Sequence, residues 1–511
     1  MNNLLKTLLG AGFAMAVAYY AHISFGHMPH AEFLIIAAIF GAYMSMNIGA
    51  NDVANNVGPA VGSGALTIGG AILVASIFEV SGALIAGGDV VKTIKKGIID
   101  PSAFGSDPIM FIYAMAAALL AAALWLNLAT WLKAPVSTTH SIVGGVMGAG
   151  IAAGGFAIVS WGTMGKIVAS WIISPLLGGL IAAGFLYIIK SEILHKDDRL
   201  DATKKVVPIL VSIMAMAFIT YITLKGFKHI WGDIQLALPF LPESKKPTIG
   251  VALVFGVIGS IITYILLKPR ISKRVETLAN DRTDINRLFT IPLIFSAAML
   301  SFAHGANDVA NAVGPLAAIY DAIAHTTIST KASIPLWVMV TGGVGISVGL
   351  ALFGPRLIKT VGSEITELDQ MRAFSIMMAA AITVVIASQL GLPVSSTHIA
   401  VGGVFGVGFL REWLDRKGTN EKYAELNVQL EIVDKYKNEL NNVGNDYKKQ
   451  VELIARVKAE KKIAKQIKRE LREQYIKGGM VKKIVLAWII TVPTAAIISA
   501  IIFYTLKGIG A

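Results

Sequence analysis

The sequence predicts an all-α membrane protein that contains two copies of one structural unit. The 511 residues are 55% hydrophobic and only 15% charged, and their mean hydropathy is +0.65. Apolar stretches of about 20 residues, the length that crosses about 30 Å of hydrocarbon, recur along the chain. Two polar motifs each occur twice inside this apolar sequence, at nearly equal separations. Hydropathy therefore indicates the class, and the repeated motifs indicate the internal organisation.

Composition excludes several other classes. A water-soluble domain of this length needs more charged residues to cover its surface. The chain has no cysteine, which excludes disulfides and thiolate chemistry. Its net charge of +13 is uneven, because residues 411–483 contain 19 Lys and Arg against 12 Asp and Glu. These basic residues lie between apolar stretches without interleaved aromatic residues, so they indicate membrane topology rather than nucleic-acid binding.

Eleven apolar stretches are long enough to cross a membrane as helices. They are rich in Gly, Ala and Ser and lack alternating polarity, which favours closely packed helices over barrel strands. They lie at about 3–22, 31–50, 67–88, 109–131, 165–189, 206–225, 249–267, 289–305, 334–354, 373–391 and 482–507. Two shorter stretches, at about 135–153 and 394–411, each follow a Pro-Val-Ser sequence.

The first apolar stretch has two interpretations. Lys6 precedes an apolar core and Ala21 is a small residue, as in a secretory signal peptide. The apolar run is long, however, and the Ala-x-Ala cleavage pattern is weak. We therefore expect an additional, uncleaved helix.

The first repeated motif places an acidic residue inside apolar sequence. Residues 49–59, GANDVANNVGP, return at residues 305–315 as GANDVANAVGP, with ten of eleven positions identical. An aspartate at membrane depth is expensive, and such groups normally mark ion or substrate pathways. The offset of 256 residues indicates a duplicated unit built around one central site.

The second repeated motif has nearly the same offset, 258 residues. Residues 135–146, PVSTTHSIVGGV, correspond to residues 393–404, PVSSTHIAVGGV, with nine of twelve positions identical. A weaker repeat, Trp-Ile-Ile, begins a later helix in each copy at Trp171 and Trp488. One unit therefore contains the Asn-Asp motif, the Ser/Thr-His segment and the Trp-Ile-Ile helix.

Loop charges predict that the second copy is inverted in the membrane. Residues 23–30 and 153–165 contain no Lys or Arg, whereas residues 268–288 and 411–483 are rich in both. Basic loops stay inside, so the first copy starts outside and the second starts inside. Five segments per copy and two connecting helices give an odd number of crossings, which also inverts the second copy. Inverted repeats surround one shared cavity in many secondary transporters.

The sequence divides into six predicted regions. They are an extra N-terminal helix at 1–30, the first repeat at 31–190, connecting helices and loops at 191–288, the second repeat at 289–411, a charged coiled-coil insert at 412–481, and the last helix of the second repeat at 482–511.

The insert shows a heptad pattern. Leu426, Val433, Leu440, Tyr447 and Ile454 recur every seven residues among Lys, Glu and Gln, which is typical of a coiled coil. The residues near the companion heptad positions are Tyr436, Val443, Val457, Ala464 and Leu471. The Asn-Asn-Val-Gly-Asn sequence at 441–445 is compatible with a break into a helical hairpin, although the heptad phase continues across it. A solvated cytoplasmic protrusion is the favoured interpretation, and a regulatory or partner-binding module is the alternative.

The two Asn-Asp motifs are candidate cation sites. Carboxylate and amide oxygens are hard ligands that suit Na⁺ or another small cation. We expect the neighbouring glycines, together with Pro59 and Pro315, to interrupt the helices and free backbone carbonyls. In the alternative, each aspartate only caps a buried helix end. The candidate cation-binding residues are Asn51, Asp52, Asn55, Asn307, Asp308 and Asn311.

The two hydroxyl triplets are candidate anion sites. Each follows a proline that begins a new helix, Pro135 or Pro393. Hydroxyls beside the free N–H groups and the positive dipole end of a helix can hold an anion without Lys or Arg. In the alternative, these hydroxyls only cap helices, and His140 and His398 are either proton carriers or packed side chains. The candidate anion-binding hydroxyls are Ser137, Thr138, Thr139, Ser395, Ser396 and Thr397.

Glu79 is a further acidic residue within an apolar stretch. Aligning Lys92 and Thr93 with residues 359–360 places Ile346 opposite Glu79, so the second copy has no counterpart. This asymmetry favours a role in coupling. A structural glutamate held by partners is the alternative.

These motifs resemble those of the inorganic phosphate transporter (PiT) family, over about residues 31–410 and the last helix. The resemblance implies twelve family helices in inverted repeats, a homodimer, and cotransport of phosphate with Na⁺ or H⁺. It implies that Asp52 and Asp308 bind both the ion and phosphate. It also implies that the neighbouring asparagines bind the cation and that the hydroxyl triplets bind phosphate. The first helix and the insert lie outside the resemblance.

Three positions bear on coupling within this resemblance. Glu79 matches a glutamate of the animal Na⁺-coupled members. Those members carry another glutamate in the helix before each hydroxyl triplet, where this chain has Met115 and Met377. The resemblance therefore predicts the fold more directly than the identity of the coupling ion.

The predicted function is uptake of inorganic phosphate across the cell membrane by cation symport, with Na⁺ as the favoured ion and no cofactor. The alternatives are an H⁺-coupled permease for metal-phosphate or sulfate, and a membrane sensor that binds a cytoplasmic regulatory partner through the insert. An enzyme is disfavoured, since the sequence has no phosphate-cradling glycine-rich lysine loop, histidine metal motif or activated nucleophile.

Overall fold

The fold is helical throughout the part of the chain that the computed structural model describes. That part comprises residues 3–104, 108–132, 134, 136–228, 230–325, 334–364, 368–417, 421–444, 446–475 and 478–510. Within these ranges the β-structure consists of one isolated bridge, between Ile99 and Val159. Pro135, which the second motif places before a helix, lies outside the described residues.

The first part of the chain contains eleven α-helices. They are α1 (Asn3–Phe25), α2 (Ala31–Asn51), α3 (Val53–Gly62), α4 (Ile68–Ala86), α5 (Gly88–Lys96), α6 (Pro108–Trp131), α7 (Thr138–Gly154), α8 (Trp161–Ile189), α9 (Arg199–Lys225), α10 (Trp231–Ala237) and α11 (Ile249–Val275).

The remainder contains ten α-helices. They are α12 (Arg282–Leu288), α13 (Thr290–Asp308), α14 (Ala310–His325), α15 (Leu336–Phe353), α16 (Pro355–Glu364), α17 (Gln370–Gln389), α18 (Ser396–Lys417), α19 (Glu421–Asn442), α20 (Tyr447–Tyr475) and α21 (Gly478–Gly510).

Eleven helical segments among the described residues are long and apolar enough to cross a membrane. Each overlaps one of the eleven predicted stretches, so the prediction of membrane helices is confirmed. Two segments are interrupted helices, α2 with α3 and α13 with α14. The two shorter apolar stretches form α7 and α18.

The helix interruptions lie at the acidic residues, and the prediction that the prolines cause them was wrong. Asp52 separates α2 from α3, and α13 ends at Asp308. Pro59 lies inside α3, and Pro315 lies inside α14. A proline inside a helix removes one hydrogen bond, so the carbonyl four residues earlier loses its N–H donor, but here neither helix ends at its proline.

Close backbone contacts between the two halves occur in matching pairs. A Cβ atom at Gly49 would lie 1.8 Å from the carbonyl oxygen of Ile346, and one at Gly305 would lie 2.2 Å from that of Glu79. These contacts join α2 to α15 and α13 to α4. Ile346 therefore contacts Gly49 in the same way that Glu79 contacts Gly305. Glu79 and Ile346 are thus equivalent positions of the two halves, as the sequence alignment predicts.

The N-terminal ends of α7 and α18 are held in the interior by neighbouring helices. α7 packs against α6 and α21, and α18 packs against α17 and α8. Glycine permits the close approach at Gly148, where a Cβ atom would lie 2.2 Å from the carbonyl oxygen of Ala496, and at Gly406, where the distance to Gly179 would be 2.0 Å. Rigid packing on both sides fixes where the hydroxyl triplets point.

The insert forms a helical hairpin, α19 and α20, which pack on each other. Gly444 adopts φ +61° in the turn, a conformation that favours glycine. The predicted heptad stripe does not continue through this turn, since Tyr447 and Ile454 are 79% and 54% exposed. In α20 the companion positions Val457, Ala464 and Leu471 are buried instead. The buried hairpin residues are Leu426, Val433, Leu453, Val457, Ala464, Ile467 and Leu471.

Candidate functional site

Both hydroxyl triplets contact Asp52. Thr138 at the start of α7 donates to Oδ2 of Asp52 at 2.5 Å, and Thr397 at the start of α18 donates to Oδ1 at 3.1 Å. The Asp52 side chain makes no capping hydrogen bond to α3, so the capping alternative fails for this residue. A buried carboxylate thus joins two helix N-termini that are distant in sequence.

Asp308 belongs to the same site. Its Oδ2 atom lies 3.4 Å from the hydroxyl of Thr138, which also contacts Asp52. Ligand atoms of Asp52, Asp308 and His304 all lie within 4.8 Å of one another, and all three side chains are buried. The two motifs therefore converge on one interior site, as the repeated sequence predicts.

The four asparagines of the two motifs form two pairs with different contacts, and the first pair is Asn51 and Asn307. Asn51 donates to Thr130 at 2.9 Å and accepts from the Val136 amide at 3.2 Å. Asn307 likewise donates to Ser388 at 2.9 Å and accepts from the Val394 amide at 3.4 Å. These two side chains position the segments that lead into α7 and α18.

Asn55 and Asn311 face the hydroxyl triplets. Asn55 donates to the hydroxyl of Thr397 at 2.8 Å. Asn311 donates to Thr138 at 3.1 Å and to Thr139 at 3.2 Å. Each asparagine therefore contacts the triplet of the other half.

The three hydroxyls of a triplet have different roles. Ser137 and Ser395 cap their helices by accepting from the amides of His140 and His398, at 3.1 and 3.3 Å. The capping alternative therefore describes the first serine of each triplet. Thr139 donates to the carbonyl of Val394 at 2.9 Å. The second and third positions, rather than the first, contact the acidic residues and the opposite half.

Several buried polar atoms at this site have no hydrogen-bond partner among the described residues. They include Oδ1 of Asp308, Oδ1 of Asn311 and the hydroxyl of Ser396. Buried polar groups are normally paired, so unpaired ones at one place indicate a ligand site. The two oxygens are acceptors that suit a cation, and the hydroxyl is a donor that suits an anion.

His304 is a site residue that the sequence interpretation missed. Its Nδ1 atom lies 2.7 Å from Oε2 of Glu79, and its Nε2 atom lies 3.0 Å from Oδ2 of Asp308. Asn56 donates to the other oxygen of Glu79 at 2.8 Å. All four side chains are buried. Glu79 is therefore connected to the central site through a histidine.

A sequence signal for this cluster existed. Asn56 is the single position at which the two eleven-residue motifs differ, and the second copy has Ala312 there. His304 immediately precedes the second motif, where the first copy has Ile48. The two positions at which the copies differ, Asn56 and His304, therefore lie together around Glu79.

The two motif histidines pack on aromatic rings. The ring centroids of His140 and His398 are 4.3 Å apart. Trp171 stacks on His140, and Trp488 stacks on His398, each with centroids 3.7 Å apart. This geometry supports the packed role, which was one of the two predicted alternatives.

Comparison with known proteins identifies the family. Residues 48–499 match the model of the phosphate transporter family. The chain belongs to this family. The resemblance inferred from the motifs is therefore confirmed, and together with the apolar helices it makes the chain a multi-pass integral membrane protein.

Individual relatives cover nearly the whole chain. A Helicobacter pylori protein named "Putative phosphate permease" is 48% identical over 98% of this chain and 95% of its own length. A Pyrococcus horikoshii protein of the same description is 36% identical over 94% of this chain and 100% of its own. A solved structure titled "The sodium-dependent phosphate transporter" is 32% identical, covers 93% of this chain and 99% of its own, and has a TM-score of 0.73.

Proposed function

We propose that this phosphate transporter takes up inorganic phosphate together with a cation, most directly Na⁺, by alternating access. The observation that carries this proposal is the contact of Asp52 with the hydroxyls of both Thr138 and Thr397. One carboxylate thereby links the candidate cation site to both candidate anion sites. The similarity to a solved sodium-dependent phosphate transporter supports Na⁺ as the ion.

The cation site centres on Asp52 and Asp308. Two carboxylates within 4.8 Å in a buried site repel each other unless a cation lies between or beside them. Asn55 and Asn311 lie beside these carboxylates, because each donates a hydrogen bond to a threonine that also contacts a carboxylate. Asn51 and Asn307 contribute by holding the adjacent segments in place.

The phosphate site uses the helix N-termini of α7 and α18. Their free N–H groups and hydroxyls can hold an anion that still leaves readily, because no Lys or Arg is needed. In the observed state, Thr138 and Thr397 donate to Asp52. A cation on Asp52 weakens these bonds and releases both hydroxyls to phosphate, so the cation binds first.

The two repeats are proposed to be inverted and to move against each other. Loop charges and the odd number of crossings favour inversion, and matching helix contacts support equivalent halves. The proposed architecture has twelve family helices, with α1 and the hairpin as additions. Rocking of one repeat against the other exposes the central site to each side in turn.

Glu79 is proposed to couple the cation to transport. His304 bridges Glu79 and Asp308, so the pair holds the Asp308 carboxylate in the position where it can bind the cation. The second copy has Ile346 at the position of Glu79, so this effect acts on one half only.

Transport by purified protein in liposomes tests the proposal. Radiolabelled phosphate is supplied with an inward Na⁺ gradient alone or an inward H⁺ gradient alone. Uptake driven by Na⁺ supports the proposal. Uptake driven only by H⁺, or competition by sulfate at equal concentration, would instead support the alternative permease.

A further inference from the structure

The hairpin of α19 and α20 carries a groove with an apolar floor. The groove has a volume of about 560 Å³ and lies between the two helices. Leu426, Leu430 and Val433 follow one another at intervals of four and three residues, so they form a stripe along α19. Leu471 of α20 completes the floor. Along this apolar seam, Leu426, Val433 and Leu471 are buried within the hairpin, whereas Leu430 is 45% exposed and is not covered by the two helices.

Four lysines and one acidic residue, Glu412 of α18, line the rim of this groove. Lys437 belongs to α19, and Lys461, Lys465 and Lys468 belong to α20. Lys437 pairs with Asp434 on its own helix. The three lysines of α20 have no ion-pair partner among the residues that the structure describes. Their spacing places them on one face of α20, beside the apolar floor.

An apolar seam flanked by charges is the pattern of a coiled-coil interface. The apolar positions pack against a partner helix, and the flanking charges select a partner of opposite sign. The excess of positive charge in residues 411–483 disfavours the hairpin of a second copy as this partner. We infer that the groove binds an acidic amphipathic helix of another protein, which completes a three-helix bundle with α19 and α20.

The proposal concerns a site distinct from the phosphate site, and it is tested with the full-length protein. The probe is a fluorescent synthetic helix of about three heptads, with leucine on its apolar stripe and glutamate on both flanks. A control peptide has glutamine in place of glutamate. Binding to detergent-solubilised protein is measured by fluorescence anisotropy.

Two groups of variants distinguish a specific effect of the groove residues from a general effect of positive charge. Lys461, Lys465 and Lys468 are changed together to Gln, and Leu430 is changed to Ser in a second protein. The matched control changes three exposed lysines outside the groove, Lys448, Lys458 and Lys462, to Gln. The control triple removes the same charge from the same helix.

The expected result is that the acidic peptide binds and the glutamine peptide does not. The groove triple should lose about tenfold or more in affinity, because three ion pairs with the peptide are lost together, and the control triple should change the affinity less than about twofold. Leu430→Ser should also weaken binding. Equal losses for both triples, or no binding by the acidic peptide, would overturn the proposal.

A membrane surface is the competing occupant. Vesicles containing phosphatidylglycerol are added to the same proteins, and flotation is measured. Vesicle binding that needs the three groove lysines but is unchanged by Leu430→Ser, with no peptide binding, would assign the lysines to lipid and overturn the proposal. All variants are at exposed or half-exposed positions, so circular dichroism should show unchanged helix content.

Discussion

The Nδ1 atom of His304 lies 2.7 Å from Oε2 of Glu79, and the two residues are 225 positions apart in the chain. The equivalent positions in the other half are Ile48 and Ile346. Two equivalent halves would bind an ion equally well on either side, whereas this polar contact makes one half chemically different. The predictions below follow from that difference and from the central site.

Changing Glu79 or His304 should alter the response to Na⁺. We expect Glu79→Gln and His304→Gln each to raise the Na⁺ concentration for half-maximal uptake about tenfold, because each change weakens the charge-assisted contacts that connect Glu79 to Asp308 through His304. The double variant should be no worse than the more impaired single variant, because the two groups act as a unit. The measurement is phosphate uptake in liposomes as a function of Na⁺.

The equivalent isoleucines provide the control for this prediction. Ile48→Val and Ile346→Val remove one methylene each and should leave the Na⁺ response unchanged. Additive losses in the Glu79 and His304 double variant would show that the two side chains act separately.

Asp52→Asn should abolish cation-driven uptake while the protein remains folded. Asparagine keeps the shape, and its single oxygen can accept from one of the two threonines while its NH2 group donates to the other hydroxyl, but it removes the negative charge that holds the cation. Uptake should fall about 100-fold or more, which corresponds to about 2.7 kcal/mol. Initial uptake rates and the gel-filtration profile are measured together, and an active variant would remove Asp52 from the cation site.

Thr397→Val should weaken phosphate binding more than cation binding. The change removes a hydroxyl that donates to Asp52 at 3.1 Å and keeps the volume of the side chain. Loss of one charge-assisted hydrogen bond predicts a rise in the KM for phosphate of about tenfold to 100-fold.

The control for Thr397 is Thr383→Val. Thr383 is equally buried, but its hydroxyl donates to the Ala379 carbonyl of its own helix. Its KM should stay within about twofold of wild type. Similar effects of the two substitutions would indicate a general loss of stability rather than a phosphate contact.

Gly49→Ala should destabilise the protein strongly. A Cβ atom there would lie 1.8 Å from the carbonyl oxygen of Ile346, so α2 and α15 must separate. Overpacking of this kind costs about 1–3 kcal/mol or more. At Gly69, nothing lies within 4 Å of an added Cβ, so Gly69→Ala should be neutral or slightly stabilising. Thermal unfolding in detergent compares the two, and equal melting temperatures would contradict the close helix contact.

The membrane helices could be predicted because hydropathy depends on local composition. Every long apolar stretch corresponds to a helical segment, and α7 and α18 correspond to the shorter ones. The repeated motifs also identified Asp52 and Asp308 as site residues. The residue at which each interrupted helix ends could not be predicted, because glycine and proline weaken a helix at several positions and tertiary packing determines which of them becomes the interruption.

Other features depended on contacts between distant residues. The heptad pattern places Tyr447 and Ile454 in the apolar stripe, but after the turn at Gly444 they are exposed, whereas the companion positions Val457, Ala464 and Leu471 are buried. Ser137 and Ser395 were grouped with the ligand hydroxyls, whereas local geometry makes them helix caps. The role of a hydroxyl depends on its direction, which sequence spacing does not specify.

The sequence by itself determined the membrane class, the two related halves and the acidic and hydroxyl residues of the candidate site, because each is recorded in local composition or in direct repetition. Tertiary structure alone decided that Thr138 and Thr397 meet at Asp52 and that His304 joins Glu79 to Asp308. Such contacts arise from helix packing across hundreds of residues, where a side chain acquires its partner only when the chain folds.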